Sequence, residues 1–242
     1  MRHTDSMYWS KEQIHKRLLK IKAKGFLPIP EGMYRRDEGV IGQILEREFG
    51  IKENNISVRD LGSFELKGMR EKSGTLTLSH KTTDVGLSPI EVFEKFGYEK
   101  PSNRDKSILK KKLFTTVKSK PNNLGLYLVP SGDTRISMYH NSEFICSWNL
   151  SAPLEKINAI LLVFAETKGA TASRDELFHF TSAHFIQNLK PISTLVSSNI
   201  IVIDFCIDKQ VNSNKSPHDR GPHIRIPKSK LFMAYEFNEK IL

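Results

Sequence analysis

The stretch DLGSFELK, residues 60–67, decides the fold of this chain. Side chains two residues apart on a β-strand point to the same face, so Glu65 and Lys67 share one face while their apolar neighbours point into the core. Asp60 lies at the end of a preceding strand-like run, and Gly62 allows the chain to bend between the two. We therefore expect an aspartate, a glutamate and a lysine to converge beside the peptide that joins residues 65 and 66.

These three side chains form a candidate site for metal-dependent chemistry on phosphorus. Asp60 and Glu65 offer the hard oxygen ligands that Mg²⁺ prefers, and the ammonium of Lys67 can orient or activate a water for attack. The spacing D-x₄-E-x-K is weak by itself, because similar triplets arise on solvated strand faces, and that alternative stays open at this point. Apolar residues flank Glu65, however, and a charged face on a core strand is unfavourable unless its carboxylates are paired or bind metal.

A helix predicted over residues 39–49 adds a further carboxylate. Its apolar residues recur every four positions, and Gly42 lies one turn before Glu46, so side chains give little cover there. Glu46 is therefore a fourth candidate catalytic residue. The chain thus has, in order, a helix with Glu, a strand with Asp and a strand with Glu-x-Lys. This order of elements resembles that of the PD-(D/E)xK nucleases.

Composition restricts the class of protein and its partners. The chain has 242 residues, and 37 Lys+Arg against 27 Asp+Glu give a formal net charge of +10. This balance indicates an acidic partner, most commonly nucleic acid, although basic proteins without one are also common. The longest apolar run, 159–165, is far shorter than the roughly 20 residues that span a bilayer, and no secretory signal is evident, so we expect a cytoplasmic protein.

Two features of the charge and cysteine pattern bear on partners. Six lysines fall within fifteen residues and predict either a phosphate-binding patch or a solvated helix face: Lys106, Lys110, Lys111, Lys112, Lys118 and Lys120. The two cysteines, Cys146 and Cys206, have no nearby His or Cys, which indicates reduced core thiols and argues against zinc.

The order of predicted elements indicates a mixed α/β class. A capping box at Ser10 and Gln13 begins a helix that Gly25 ends. Strand-like runs follow at 56–60, 63–69 and 75–80, as an antiparallel meander, and a helix is predicted at 89–96. From Asn123 the pattern is β, and it includes buried strands at 160–165 and 200–207; helical patches are expected between those two, and a closing helix from Lys228.

Several segments resemble the MvaI/BcnI family of type II restriction endonucleases, with BcnI-like members the more similar. They are residues 39–46, 60–70, 111–116, 163–167, 178–181 and 217–227, in order over nearly the whole chain. The resemblance implies a MutH-like PD-(D/E)xK core with a DNA-recognition lobe, two lobes around a DNA cleft. It also implies a monomeric, Mg²⁺-dependent endonuclease. We expect residues 1–118 to be mainly catalytic and 119–242 mainly recognition, with some strands returning to the catalytic core.

The segment from His218 to Arg225 is a candidate base-reading loop. Arg220 and Arg225 suit the O6 and N7 atoms of guanine, and Asp219 can accept from cytosine N4. An exposed, salt-bridged turn is the alternative for such a loop in isolation. The resemblance implies that the loop enters the DNA and that His80 and His223 face the central base pair. The density of positive charge, rather than the resemblance, makes Lys110, Lys111 and Lys112 candidates for contact with DNA.

The expected function is cleavage of double-stranded DNA at a CCSGG-like site, where S is C or G, by sequential nicking. A MutH-like nicking or repair enzyme, a CCWGG-specific enzyme and a DNA-binding protein that has lost cleavage are the alternatives. A companion methyltransferase is expected in the same system, though not as a bound partner. His179 and His184 are expected to be structural, and Glu166 receives no role.

Overall fold

The computed structural model describes residues 8–33, 39–51 and 59–242. Two compact units divide the chain. Unit 1 is formed by the chain up to Gly74 together with Glu155–Leu189 and Tyr235–Leu242, and unit 2 is formed by Thr75–Leu154 and Lys190–Ala234. The division therefore differs from a single boundary at residue 118, because two later segments return to the first unit.

Unit 1 is built on one sheet with two helices against it. The helices are α1 (Lys11–Ala23) and α2 (Val40–Glu48), and the strands are β1 (Leu27–Pro28), β2 (Glu65–Arg70), β10 (Ala159–Lys168), β11 (Leu177–Leu189) and β15 (Tyr235–Lys240). The strand order is β2-β10-β11, and β1 and β15 pair with successive parts of the free edge of β11. Among the described strands of this sheet, β2 and β10 are the pair that runs parallel.

The core of unit 1 follows from amphipathic spacing. The predicted capping box is present, since Ser10 Oγ accepts from the Gln13 N–H at 3.2 Å and the Gln13 side chain accepts from the Ser10 N–H at 2.8 Å. The side chains at positions i, i+4 and i+7 of α1 point into the core: Ile14, Leu18 and Ile21. They pack with apolar residues of α2 and with Leu161, Val163 and Phe185 of the sheet.

Unit 2 contains two further sheets. One has the strand order β3-β14-β12-β6-β5, formed by β3 (Thr75–His80), β14 (His223–Pro227), β12 (Val202–Gln210), β6 (Leu109–Val117) and β5 (Tyr98–Pro101), and β13 (His218–Asp219) also pairs with β12. The other has the order β4-β9-β8-β7, formed by β4 (Val85–Gly86), β9 (Glu143–Asn149), β8 (Arg135–His140) and β7 (Leu126–Ser131). The helices α3 (Pro89–Phe96) and α5 (Ile192–Ser197) also belong to this unit, and α4 (Ser151–Ile157) ends in unit 1.

Two sequence predictions are wrong and a third holds only in part, and each difference concerns a long-range pairing. The expected meander is absent among the described residues, because β2 pairs with β10 and β3 pairs with β14; residues 56–58 of the first expected strand lie outside the described residues. The segment between 165 and 200 contains one helical patch, α5, as expected, but 177–189 is a strand. A bulge on β11 opposite Phe164 and Ala165 changes the inward spacing there from two to three, which resembles a helical period. The closing helix is a 3₁₀ helix, Lys228–Ala234, followed by β15 on β11.

A buried ion pair anchors the end of β2. Arg70 Nε and Nη2 donate to the two carboxylate oxygens of Glu176 at 2.7 and 2.9 Å, and both side chains are almost fully buried. Glu176 also accepts from the backbone N–H of Ala172. The strand that carries Glu65 and Lys67 is therefore held by backbone pairing with β10 along one edge and by the Arg70–Glu176 ion pair at its C-terminal end.

Within the ranges that the structure describes, no helix combines the length and the apolar character needed to cross a membrane.

Candidate active site

The fold brings Asp60, Glu65 and Lys67 together as the strand periodicity predicts. Leu66 lies in the core, and Glu65 and Lys67 lie on the opposite face of β2, with Lys67 Nζ 3.2 Å from Glu65 Oε1. Asp60 occupies the turn before β2, and its Oδ2 accepts a hydrogen bond from the Leu66 N–H at 3.0 Å. Gly62 has φ +75°, a conformation that glycine adopts without strain, and it reverses the chain inside this turn.

Glu65 is the most buried member of the cluster, with 4% of its surface exposed. Burial raises the pKa of its carboxyl above the ordinary value, and the charge of Asp60 adds to the rise, while the ammonium groups of Lys67 and Lys156 oppose it. Its Oε2 atom lies 3.3 Å from Lys156 Nζ but accepts no hydrogen bond among the described residues. A buried oxygen with an incomplete set of partners is suited to bind a cation.

Lys156 is a site residue that the sequence analysis missed. It lies in the last turn of α4, about ninety positions from Glu65, and no local pattern marks it. The guanidinium of Arg59 fixes that turn, because Nη2 donates to the Glu155 carbonyl at 2.6 Å and Nε to the Lys156 carbonyl at 3.2 Å. The residue before Asp60 therefore connects the predicted catalytic turn to the helix end that carries the second lysine.

Removal of the Lys156 charge is expected to change the pH dependence of catalysis. Since Lys156 lowers the pKa of Glu65, Lys156→Met should raise that pKa further, so the ionised carboxylate forms only at higher pH. The rise of the cleavage rate with pH should therefore move to higher pH, and Lys156→Arg should restore it. Single-turnover cleavage of a plasmid across a pH series measures this, and an unchanged pH profile in Lys156→Met contradicts it.

The carboxylates fit a divalent ion with two protein ligands. Asp60 and Glu65 both supply carboxylate oxygens, the hard ligands that such an ion prefers, within one cluster. One Glu65 oxygen lacks a hydrogen bond among the described residues. In the described ranges, no group of three or more Asp, Glu, His or Cys side chains is arranged to hold a metal ion. Glu46 therefore does not form a three-carboxylate metal site with Asp60 and Glu65. Glu46 lies half-buried on α2, and its catalytic role stays a prediction.

The two histidines predicted to read the central base pair lie side by side in unit 2. His80 on β3 and His223 on β14 are direct partners across two antiparallel strands, with ring centroids 4.3 Å apart and planes at 87°. His80 is exposed, whereas His223 is buried and its Nδ1 atom has no hydrogen-bond partner in the described residues. Burial lowers the pKa of His223 to about 4, helped by the charges of His80 and Arg225.

His223 is therefore expected to stay neutral at physiological pH. An imidazole titration by NMR, with the His223 signal assigned by its loss in His223→Asn, should give a midpoint near pH 4. The unfolded chain binds this proton near pH 6.5, so the free energy of unfolding should fall as the pH drops from about 6.5 to 4. A His223 midpoint above 6 contradicts the prediction, and one of the exposed histidines among the 8 in the chain serves as the internal control.

Arg225 is held by a network rather than projecting alone. Its Nη1 donates to Asp204 Oδ2 at 2.8 Å and its Nε donates to Thr77 Oγ1 at 3.1 Å. Asp204 in turn accepts from Thr116 Oγ1. Asp204, Thr77 and Thr116 were not predicted as site residues, because only the strand register places them on one face with Arg225.

The remaining loop residues are exposed: His218, Asp219 and Arg220. Asp219 Oδ1 accepts from the Gly221 N–H at 2.7 Å, which closes the turn, and His218 Nδ1 lies 3.6 Å from Asp208 Oδ1. Their contacts to bases stay predictions.

The lysine run lies on a strand, so the interpretation as a helix face is wrong. Lys110 Nζ pairs with Asp208 at 2.5 Å, Lys111 Nζ pairs with Glu94, and the buried Lys112 donates to the Pro101 carbonyl at 3.0 Å. The structure thus places all three ammonium groups on protein acceptors. Their contact with DNA stays a prediction.

Two histidines expected to be structural make local contacts on β11. A ring nitrogen of His179 lies 3.3 Å from the Lys22 carbonyl, and His184 Nδ1 lies 2.8 Å from Asn238 Oδ1. Glu166 is exposed on β10.

Comparison with known proteins identifies a family and a similar fold. The sequence profile of the MvaI/BcnI restriction endonuclease family matches residues 15–235. The fold resembles the restriction endonuclease MvaI in complex with its cognate DNA substrate, with a TM-score of 0.71, 17% sequence identity, and coverage of 97% of this chain and 100% of that chain. MvaI in the absence of DNA aligns with a TM-score of 0.49 and 16% identity over 97% of this chain and 99% of that chain. No curated protein matches the chain.

The likeness to MvaI shows a mixed α/β fold consistent with the PD-(D/E)xK nucleases. The family profile spans all but the two ends of the sequence, including every predicted catalytic position. This chain belongs to the MvaI/BcnI restriction endonuclease family and is a site-specific DNA nuclease.

Proposed function

We propose that this chain hydrolyses double-stranded DNA at a CCSGG-like site in the presence of Mg²⁺, acting as a monomer that nicks the two strands in sequence. The observation that carries the chemistry is the cluster of Asp60, Glu65 and Lys67 around a buried carboxylate oxygen that accepts no hydrogen bond from the described residues. The structurally similar MvaI forms a complex with its cognate DNA substrate, and this supports duplex DNA as the substrate here.

The residues of the cluster divide the hydrolysis between them. Asp60 and Glu65 would hold the metal ion, which supplies Lewis-acid stabilisation of negative charge on the phosphate when bound. Lys67 Nζ orients a water whose oxygen attacks phosphorus. This water gives up a proton to solvent, one P–O ester bond breaks, and the leaving oxygen takes up a proton from solvent. The Lys156 ammonium, on the other oxygen of Glu65, lies where it can stabilise charge that develops on the phosphate.

We assign the chemistry to unit 1 and base recognition to unit 2. Unit 1 contains Asp60, Glu65, Lys67 and Lys156, and unit 2 contains His80, His223 and the loop from His218 to Arg225. Arg225, preorganised by Asp204, suits a guanine, and Asp219 or Asp204 suits a cytosine amino group. A neutral imidazole can donate or accept, so the His80 and His223 pair suits both C:G and G:C at the centre of the site.

A plasmid digest with and without Mg²⁺ tests the proposal. The expected result is discrete linear fragments in Mg²⁺, preceded by nicked circles, since one active site cuts one strand at a time. Nicked circles that never become linear would indicate a MutH-like nicking enzyme instead, and binding without cleavage would indicate a protein that has lost catalysis. Sequencing of the cut ends identifies the site. A methyltransferase that modifies this site and thereby protects the plasmid from cleavage would be the expected companion enzyme.

A further inference from the structure

A polar pocket opens beyond the end of β6 in unit 2. Its volume is about 330 Å³, and its lining consists of Thr116, Lys118, Lys120, Pro121, Asn122 and Asn199. Residues two apart on an extended chain point the same way, so Thr116 near the end of β6 and Lys118 just after it contribute together, and Lys120 follows in the bend at 119–120. The lining residues thus include two lysines, two asparagines and a threonine, and none of them carries a carboxylate.

The two lysines of the pocket differ from those earlier on the strand. Lys118 and Lys120 are exposed, and neither ammonium has an ion pair or a hydrogen bond with the described residues. Lys110, Lys111 and Lys112, by contrast, are each bound to a protein oxygen. Positive charge that no described protein group neutralises therefore collects in the concave part of this surface, where it attracts anions.

The amide groups of the pocket are held in place by neighbouring residues. Asn199 Oδ1 accepts from both the N–H and the Oγ–H of Ser119, at 2.9 and 3.0 Å, so its Nδ2 remains a donor for a ligand. Asn122 Oδ1 accepts from the Leu126 N–H at 3.0 Å, and Lys230 Nζ donates to the Asn199 carbonyl at 3.3 Å. The walls of the pocket are therefore ordered before a ligand binds, which lowers the entropic cost of binding.

The pocket is continuous with the network that holds Arg225. Thr116 lines the pocket and also donates to Asp204, which accepts from Arg225. Thr116 lies opposite Asp204 on β12, and Asp204 lies opposite His223 on β14, so Thr116 is two strand spacings, or roughly 10 Å, from His223. Arg225 is two positions further along β14. A major groove is about 12 Å wide, so a backbone phosphate lies at a comparable distance from base edges that a side chain reads.

On the basis of the proposed nuclease function, we infer that this pocket binds a phosphodiester group of the DNA backbone beside the base pairs read from β14. Lys118 and Lys120 neutralise the phosphate, and Asn199 Nδ2 donates a hydrogen bond to it. This interaction fixes the register of the DNA on the recognition sheet without reading sequence, as phosphate contacts do. The phosphate-binding lysines of this chain are then those after the end of β6 rather than those within it.

The experiment measures binding of the full chain to a labelled duplex that lacks both CCSGG and CCWGG, over a series of salt concentrations. Lys118→Gln/Lys120→Gln should bind about tenfold more weakly at low salt, and the slope of log K against log salt should decrease by about 0.9, since one phosphate is no longer neutralised. Lys16→Gln/Lys20→Gln removes the same charge from the exposed side of α1 and should bind as the wild type does. Lys118→Arg/Lys120→Arg should keep the wild-type slope, and thermal melting checks that each variant is folded.

The outcomes separate this inference from the proposed function. An unchanged slope in the glutamine pair overturns the inference, and so does an equal decrease in the Lys16 and Lys20 control, because the effect is then one of net charge. Inorganic phosphate that stabilises the wild type but not the glutamine pair, with DNA binding equal in both, shows a site for free phosphate and also overturns it. Failure of the wild type to bind or cut any DNA would instead contradict the nuclease function.

Discussion

Lys67→Met and Asp60→Asn are each expected to reduce the rate of DNA cleavage by at least about 100- to 1,000-fold, because each removes charge that stabilises the transition state. Lys67→Met takes away the ammonium 3.2 Å from Glu65 and leaves Lys156 as its remaining cation among the described residues. Asp60→Asn removes the charge of a proposed metal ligand but keeps an oxygen that can accept the Leu66 N–H, so the turn is preserved. Single-turnover digestion of a plasmid in Mg²⁺ measures both.

Binding should separate from cleavage in these variants. Base and phosphate contacts are assigned to unit 2, so affinity for the cognate duplex in a mobility-shift assay should stay close to that of the wild type. Glu166→Gln, an exposed carboxylate on β10 with no assigned role, is the matched control and should cut normally. Near-normal cleavage by either Lys67→Met or Asp60→Asn would exclude this cluster as the active site.

The second large effect concerns the central base pair. Duplexes with C:G or G:C at the centre should be cut roughly 10- to 100-fold faster than those with A:T or T:A, since one mismatched base pair costs about 1–3 kcal/mol. His223 is neutral, with a pKa of about 4, so its imidazole has one donor nitrogen and one acceptor nitrogen. An A:T centre carries a thymine methyl in the major groove and lacks the guanine amino group in the minor groove.

Matched duplexes that differ only at the central pair provide the measurement. His223→Ala should reduce the preference while leaving the catalytic cluster of unit 1 intact, and His80→Ala, on the partner strand, should do the same. Equal cleavage rates on CCWGG and CCSGG by the wild-type chain would show that the specificity is wrong, and the assignment as a nuclease would stand.

The sequence by itself determined what depends on neighbouring residues. The capping box and apolar spacing specify α1, and the period of two along 64–67 places Glu65 and Lys67 on one face with Leu66 in the core. The apolar run at 159–165 specifies a strand buried on both faces, which is β10. These features are local because side-chain direction repeats with the backbone geometry. The association of His80 with His223 came from family resemblance, not from any local pattern.

Only the tertiary structure decided which distant segments meet. It pairs β2 with β10 in parallel and brings Lys156 to Glu65. It also places protein oxygens against the ammonium groups of Lys110, Lys111 and Lys112. The residues of each contact are separated along the chain. A lysine that is bound to a carboxylate has the same sequence pattern as a lysine that is available to a phosphate. Whether a lysine is paired depends on strand register and on which later segments fold back against earlier ones. These two features fix which side chains lie opposite each other in the folded protein.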